Sequence, residues 1–119
     1  MGYKFRWKIF MANLSPVLDS EQAERRPVLV ITNELINMNI PLVCVIPFTS
    51  YKNKRKIYPT ELFLNKDTTS LNKDSILLFH QIRTISKERL ENECGFIDDE
   101  SVRQEIIRKI QFYFDIDEE

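Results

Sequence analysis

The sequence predicts a mostly β fold, a small antiparallel barrel with a C-terminal helix. Several apolar runs have the length of strands and are separated by segments rich in Asn, Asp, Ser or Pro. Only the last part of the chain carries apolar residues at helical spacing over several turns. With 119 residues, 43% of them apolar, the chain is long enough to bury one core. We therefore expect residues 1–119 to form a single domain.

The first half of the chain is predicted to hold three strands. Residues 3–12 alternate large apolar side chains with basic ones over most of their length, which is typical of a strand. Residues 27–32 are a continuous apolar run, so we expect a strand that is buried on both faces or central, and residues 42–46 are predicted to be the third strand. Residues 19–26 are predicted to be an exposed loop, and residues 33–39 a polar connection.

The second half begins with a dense positive cluster at residues 52–56, which we expect to be a loop. Residues 59–64 alternate and begin with proline, as edge strands do. An apolar segment runs from residue 76 to residue 85. Ser86 is placed to cap a short helix through Leu90. The prediction is therefore five or six short strands before the final helix.

The final helix is predicted to begin after Asp98 or Asp99, since either carboxylate can accept hydrogen bonds from the first free N–H groups. Apolar residues then recur on one helical face. They are Val102, Ile106, Ile107, Ile110, and Tyr113 or Phe114.

Composition limits the classes of function. Seventeen Lys and Arg against eighteen Asp and Glu give a net charge of −1, which argues neither for nor against a nucleic-acid partner. No apolar run approaches the ~20 residues that span a membrane, and the N-terminus has no signal-peptide core, so we expect no membrane partner and a cytoplasmic protein. Two cysteines and one histidine are too few for a common zinc site. We expect reduced thiols, no metal and no cofactor.

Four short motifs, in this order, resemble the MazF/PemK family of toxin ribonucleases from bacterial toxin–antitoxin pairs. The spacing between the motifs also matches, and the resemblance covers roughly residues 4–112. The motifs are ANLSPV at 12–17, SEQ at 20–22 with RPVLVI at 26–31, FTS at 48–50, and DS at 74–75 with QIRTI at 81–85.

This resemblance implies an SH3-like barrel, a homodimer, and metal-independent cleavage of single-stranded RNA such as mRNA. It also implies a cognate antitoxin whose acidic disordered segment lies along the RNA groove. The family pattern places its catalytic arginine on Arg26 and its catalytic threonine on Thr49. The residues it places in contact with RNA are Ser20, Glu21, Gln22 and Gln81.

The residue types suit this chemistry. Metal-free cleavage uses the ribose 2′-hydroxyl as nucleophile and leaves a cyclic phosphate and a 5′-hydroxyl. Arg26 can hold two phosphate oxygens with its planar guanidinium, and Thr49 can donate a hydrogen bond to the phosphate but is a poor base. The basic cluster that follows Thr49 is a candidate contact to the RNA backbone. Its members are Lys52, Lys54, Arg55 and Lys56.

His80, the only histidine, is a candidate for proton transfer. It precedes Gln81 at a position where close relatives often carry Glu or Asp, and an imidazole is well suited to proton transfer at neutral pH. The alternative is a half-buried strand histidine that packs beside Phe79 and hydrogen-bonds a loop carbonyl. The residues alone leave both interpretations open.

The chain departs from the family pattern at two places. Trp7-Lys8 stands where relatives commonly have Gly followed by Asp or Glu, and Ala23-Glu24 stands where they have two glycines. Glu24 is two residues from Arg26, so its carboxylate can pair with the guanidinium or repel phosphate. These changes keep open a catalytically silent binding module. A second alternative is a CcdB-like poison of DNA gyrase, which the final residues 114–119 disfavour because they lack Trp-Gly-Ile.

Overall fold

The computed structural model describes residues 2–14 and 24–117. Within these residues the chain forms seven strands, three α-helices and two 3₁₀ turns. The strands are β1 (Lys8–Asn13), β2 (Arg25–Val30), β3 (Leu42–Ser50), β4 (Glu61–Leu64), β5 (Ser75–Leu78), β6 (Arg83–Ser86) and β7 (Leu90–Phe96). The helices are α1 (Glu34–Asn39), α2 (Lys66–Thr69) and α3 (Glu100–Phe114), and the 3₁₀ turns are Phe79–Gln81 and Lys87–Arg89.

All paired strands are antiparallel, in the order β4-β5-β3-β2-β1-β7, with β6 also on β3. β3 is the central strand. One side of it pairs with β2, while the other pairs first with β6, up to Val45, and then with β5, from Phe48. The predicted antiparallel fold with a C-terminal helix is therefore confirmed.

β3 continues past Pro47, where the sequence predicted its end. The carbonyl of Cys44 accepts a hydrogen bond from Ile31 N at 3.0 Å, so its backbone faces the β2 side. By alternation the nitrogen of Pro47 faces the opposite side, between the sections that pair with β6 and β5. No strand partner lies at that point among the described residues, so the missing N–H costs no ladder bond.

The first strand begins at Lys8, not at residue 3 as predicted. The side chain of Glu34 explains the difference, because it accepts hydrogen bonds from the backbone N–H groups of Lys4, Phe5 and Arg6 at 2.6, 3.2 and 2.9 Å. A carboxylate thus takes the donors that a neighbouring strand would need. Trp7 then turns the chain with φ 69°, in the left-handed region that favours glycine.

Residues 33–39, predicted as a polar connection, contain α1. Asn33 caps this helix by accepting a hydrogen bond from Leu35 N at 2.8 Å. The helix is too short to show a periodic apolar face, and Leu35, Ile36 and Met38 are exposed. The four-residue helix α2 was missed for the same reason.

The predicted apolar segment 76–85 is divided into β5, the 3₁₀ turn Phe79–Gln81 and β6. Ser86 caps the next 3₁₀ turn as predicted, since its Oγ accepts from Glu88 N at 3.2 Å. β7 was not predicted, because its middle residues are polar and exposed. Its pairing with β1 lies far away in sequence, which no local pattern shows.

Two apolar clusters lie on opposite faces of the central strands. Leu29 and Ile46 belong to the larger cluster, while their neighbours Val28 and Val45 belong to the smaller one. The expectation for β2 is thus confirmed, and β3 is buried on both faces as well. α3 covers the larger cluster with Ile106, which is fully buried.

The long C-terminal helix is confirmed, and its cap is Asp99. The carboxylate of Asp99 accepts from Ser101 N and Val102 N at 2.8 and 3.2 Å. Either Tyr113 or Phe114 was predicted on the inward face, which is wrong, because both are exposed. No helix in the described part of the chain is long and apolar enough to cross a membrane.

Candidate active site

A pocket of about 240 Å³ opens where the start of β2 meets the end of β3. Val28 is paired with Pro47, so continuing the register by two residues brings Arg26 opposite Thr49. The structure thus brings together the two residues that the sequence predicted as catalytic. The residues that line the pocket are Arg25, Arg26, Pro27, Phe48, Thr49, Ser50 and Ser75.

The guanidinium of Arg26 is held on two sides. Its Nη2 forms a salt bridge with Oε2 of Glu24 at 2.6 Å, and its Nη1 lies 3.5 Å from the carbonyl oxygen of Phe48. Its Nε is buried and has no hydrogen-bond partner among the described residues. The side chain is 27% exposed, so the charge is reachable from the pocket. Nη1 and Nη2 carry two N–H groups each and make one contact each, so N–H donors remain for an anion.

Residues with hydroxyl groups line the same pocket as Arg26. Thr49 and Ser50 follow each other at the end of β3, and they pair with Ile76 and Ser75 of β5. The Oγ of Ser75 donates to the carbonyl of Lys73 at 3.0 Å, so this hydroxyl is already used as a donor. Ser50 and Ser75 were not singled out from the sequence, although both lie inside the family-like motifs.

Arg25 also lines the pocket but is paired with Glu91 of β7. Its Nε donates to Glu91 Oε1 at 3.2 Å, and its Nη2 contacts the same oxygen. The hydrogen bond from Arg25 is the main reason why the pKa of Glu91 is lowered, and it outweighs the effect of burial. The pair therefore joins β2 to β7 at the side of the pocket.

The predicted RNA contacts Ser20, Glu21 and Gln22 lie outside the described residues, and they stay predictions. The ends of the segment that carries them are joined, because Leu14 N donates to the carbonyl of Glu24 at 2.7 Å.

Two arginine side chains also bind the backbone at the end of β1. Arg83 Nη1 donates to the carbonyl of Leu14 at 3.2 Å, and Arg89 Nη1 donates to that of Asn13 at 3.1 Å. Leu14 and Glu24, the described residues on either side of residues 15–23, are thus both held by hydrogen bonds.

The basic cluster follows the pocket-lining strand directly. Asn53 and Lys54 have φ of 59° and 51°, so they form a tight turn with two left-handed residues. Lys52 and Lys54 are exposed, as an RNA contact requires.

Arg55 differs from its neighbours, because its Nη1 and Nη2 bind the two carboxylate oxygens of Glu61, both at 3.0 Å. Glu61 is only 6% exposed. The hydrogen bonds from Arg55 are the largest cause of the lowered pKa of Glu61, and burial acts against them. Arg55 therefore has a structural contact in addition to the RNA contact predicted for it.

His80 and Gln81 lie in the 3₁₀ turn after β5 and are exposed. The Nδ1 of His80 is 3.0 Å from the hydroxyl of Thr60. Neither residue lines the pocket of Arg26 and Thr49. The role predicted for His80 stays a prediction.

In the described part of the chain, no group of three or more His, Cys, Asp or Glu side chains is placed to hold a metal ion. The pocket instead combines a guanidinium with hydroxyl groups. That combination can bind an anionic oxygen and stabilise charge that develops on it.

Sequence comparison identifies relatives over almost the whole chain. The profile of the PemK-like, MazF-like toxins of type II toxin–antitoxin systems matches residues 5–114. A protein named endoribonuclease MazF, from Staphylococcus saprophyticus subsp. saprophyticus, is 39% identical over 99 residues, which cover 83% of this chain and 82% of that protein.

Solved structures with the same fold include the toxin MazF-mt6 of Mycobacterium tuberculosis, which is 25% identical, covers 93% of this chain and 99% of its own, and has a TM-score of 0.74. The MazE-MazF structure (Form-II) from Deinococcus radiodurans is 23% identical with a TM-score of 0.76, and the match covers 98% and 100% of the two chains. These similarities confirm the predicted fold, and they do not support a gyrase poison or a silent binding module. The chain belongs to the PemK-like, MazF-like toxin family of type II toxin–antitoxin systems.

Proposed function

We propose that this chain is a metal-independent endoribonuclease toxin that cuts single-stranded RNA, with Arg26 and Thr49 at the catalytic centre. The observation that supports this most directly is the pocket that Arg26 and Thr49 line together. The relative that is 39% identical carries the name of an endoribonuclease, which supports the same activity.

In the proposed reaction the ribose 2′-oxygen attacks the phosphorus and the bond from phosphorus to the 5′-oxygen breaks. The products are a 2′,3′-cyclic phosphate and a 5′-hydroxyl. One proton leaves the 2′-hydroxyl, and one is delivered to the departing 5′-oxygen. Arg26 binds the non-bridging oxygens and stabilises the negative charge of the phosphorane, while Thr49 donates a hydrogen bond to the phosphate.

The proton transfers need a further group, because a guanidinium does not deprotonate and an ordinary threonine hydroxyl is a weak base. His80 is the proposed group; it does not line the pocket and lies in the 3₁₀ turn after β5. The remaining proposed RNA contacts are Ser20, Glu21, Gln22, Lys52, Lys54, Arg55 and Gln81.

The decisive experiment is incubation of the purified protein with a long single-stranded RNA in EDTA, followed by mapping of the new ends. Discrete cuts that leave 5′-hydroxyl ends support the proposal. Intact RNA at high protein concentration would contradict it. Because a contaminating nuclease would give cuts as well, the Arg26→Ala protein, purified identically, serves as the control.

The proposed partners are a cognate antitoxin and a second copy of the chain, both in the cytoplasm. A solved structure from Deinococcus radiodurans with this fold is named as a MazE-MazF complex, which supports an antitoxin partner here. An acidic antitoxin segment suits the surface around Arg26 and the basic residues 52–56, since opposite charges would meet there. Co-purification with the antitoxin and light scattering of the free toxin test these two assignments.

A further inference from the structure

Glu24 lies directly on the guanidinium that the reaction needs. Its Oε2 is 2.6 Å from Nη2 of Arg26, a distance typical of a strong charge-assisted hydrogen bond. Glu24 stands two residues before Arg26, immediately before β2, so both side chains can extend to the same side of the chain. The ion pair therefore follows from the closeness of Glu24 and Arg26 in the sequence.

The contacts that Arg26 makes with Glu24 and Phe48 affect how its guanidinium can bind a phosphate. Arginine binds a phosphate best with two parallel N–H groups. Nη1 donates to the carbonyl of Phe48, and Nη2 is bound by Oε2 of Glu24. Nε is buried and has no hydrogen-bond partner among the described residues. A phosphate that binds at Nη2 therefore meets the negative charge of the Glu24 carboxylate and has to compete with it.

The carboxylate is able to leave. The Glu24 side chain is 52% exposed, whereas that of Arg26 is 27% exposed. The backbone of Glu24 is fixed by the hydrogen bond from Leu14 N to its carbonyl, so its side chain can rotate toward solvent without moving β2. The exchange of carboxylate for phosphate thus moves the Glu24 side chain and leaves β2 in place.

We infer that Glu24 is an internal competitor of phosphate at Arg26: its carboxylate is bound to Nη2 of the guanidinium in the free toxin and weakens the binding of RNA. The inference depends on the phosphate-binding role of Arg26 proposed above. Because bound RNA excludes Glu24 equally in the ground state and the transition state, the competition acts on KM and leaves kcat unchanged.

The test compares Glu24→Gln with wild type in two measurements. One is the Kd for a short fluorescent single-stranded DNA of random sequence, which lacks the 2′-hydroxyl and is not cut by the proposed reaction. The other is kcat and KM for RNA cleavage. Since an exposed ion pair is weak, we expect Kd and KM to fall about twofold to fivefold, with kcat unchanged.

The matched control is Glu93→Gln, which makes the same charge change. Glu93 also forms a partly exposed ion pair, with Lys8 at 3.1 Å, and it does not line the pocket. A general effect of net charge on nucleic-acid binding would appear equally in both variants. Equal Kd values for Glu24→Gln and Glu93→Gln would overturn the inference, and so would weaker binding or a lower kcat in Glu24→Gln.

A double-mutant cycle with Arg26→Ala separates this inference from the proposed function. The inference requires that Glu24→Gln tightens DNA binding in wild type but not in the Arg26→Ala background. If the gain persists without Arg26, Glu24 acts through long-range charge and the inference fails while the function stands. If Arg26→Ala binds DNA as tightly as wild type, the phosphate role of Arg26 itself fails. Thermal unfolding of every variant confirms that the comparison is made between folded proteins.

Discussion

Arg26 joins the fold to the proposed chemistry, because its guanidinium is the charged group that lies opposite Thr49 in the pocket. We expect Arg26→Ala to lower RNA cleavage by about 10² to 10³. The fold should remain, since the Glu24 pair that the substitution removes is partly exposed and contributes little to stability. Arg26→Lys should also fail, because an ammonium group cannot reproduce two parallel N–H donors. Full cleavage by a folded Arg26→Ala protein would remove Arg26 from the mechanism.

His80 offers a test between a chemical and a structural role. If it transfers a proton, His80→Gln lowers cleavage on the order of 10²-fold and removes a limb of the pH–rate profile near neutral pH. The contact between His80 Nδ1 and the Thr60 hydroxyl provides the other explanation for its presence. Cleavage rates of His80→Gln measured across the pH range decide the question. A wild-type rate and profile would leave only the structural role.

Trp7 occupies a backbone conformation that a glycine would adopt without strain, with φ 69°. The left-handed conformation costs a larger residue about 1–2 kcal/mol. Removing a buried tryptophan ring costs more, about 3–5 kcal/mol, and Trp7 is 4% exposed. We therefore expect Trp7→Gly to lower the free energy of unfolding by about 2 kcal/mol, which denaturant unfolding can measure. Trp7→Phe keeps a ring in place and should lose less; an unchanged stability in Trp7→Gly would contradict this balance.

At the scale of elements, the Glu34 side chain connects α1 to the turn before β1. Burial would raise its pKa, but hydrogen bonds from the backbone of Arg6, Lys4 and Phe5 and from the side chain of Asn37 lower it overall. A carboxyl whose pKa is lower in the folded state stabilises the protein above its unfolded pKa of about 4.3, and this stability is lost as the pH falls through the folded value.

Glu34→Gln is therefore expected to lower the free energy of unfolding at pH 7 by about 1–3 kcal/mol. Below about pH 4 the difference from wild type should shrink, because the wild-type carboxyl is then protonated too. Urea unfolding at several pH values measures both effects. Glu105→Gln, an exposed position on α3, makes the same charge change as a control. A difference from wild type that does not change with pH would contradict the role of the carboxylate charge.

The basic turn offers a second test at this scale. Because Lys54 has φ 51°, Lys54→Gly removes the charge from a position that glycine adopts readily. We expect RNA binding to lose about one unit of its salt-dependence slope while stability is kept. Arg55→Ala should instead destabilise the fold, since it leaves the buried Glu61 carboxylate without its bidentate partner. An unchanged slope in Lys54→Gly would remove this turn from the RNA contact surface.

For the molecule as a whole, the sequence predicted those elements whose structure is determined by residues close to one another in the chain. β2 and β3 were predictable from continuous apolar runs, and α3 from its cap at Asp99. The N-terminal turn and β7 were not, since distant partners decide them: Glu34 for the turn, and β1 for β7. A pattern read along one segment contains no information about such partners.

In the candidate site, too, contacts between residues close in sequence were predictable, while contacts between distant residues were not. Arg26 and Thr49 were identified through a resemblance, and the antiparallel register of β2 and β3 explains why they meet. The pair of Arg26 with Glu24 was foreseeable because the two residues are close in sequence. The pair of Arg55 with Glu61 was not, since it depends on how the loop returns to β4.

Trp7 is also an intrinsic fluorescent probe of the protein's structure. It is the only tryptophan among the 119 residues, its ring is shielded from water, and the guanidinium carbons of Arg6 and Arg103 lie 5.0 and 5.4 Å from its centroid. Its fluorescence therefore responds when α3 and the N-terminal turn separate from the sheet and water reaches the indole. Because Trp7 does not line the pocket, nucleic-acid titrations should leave its emission wavelength unchanged. A red shift during a titration would then report unfolding, so a single fluorescence trace can separate loss of structure from occupation of the site.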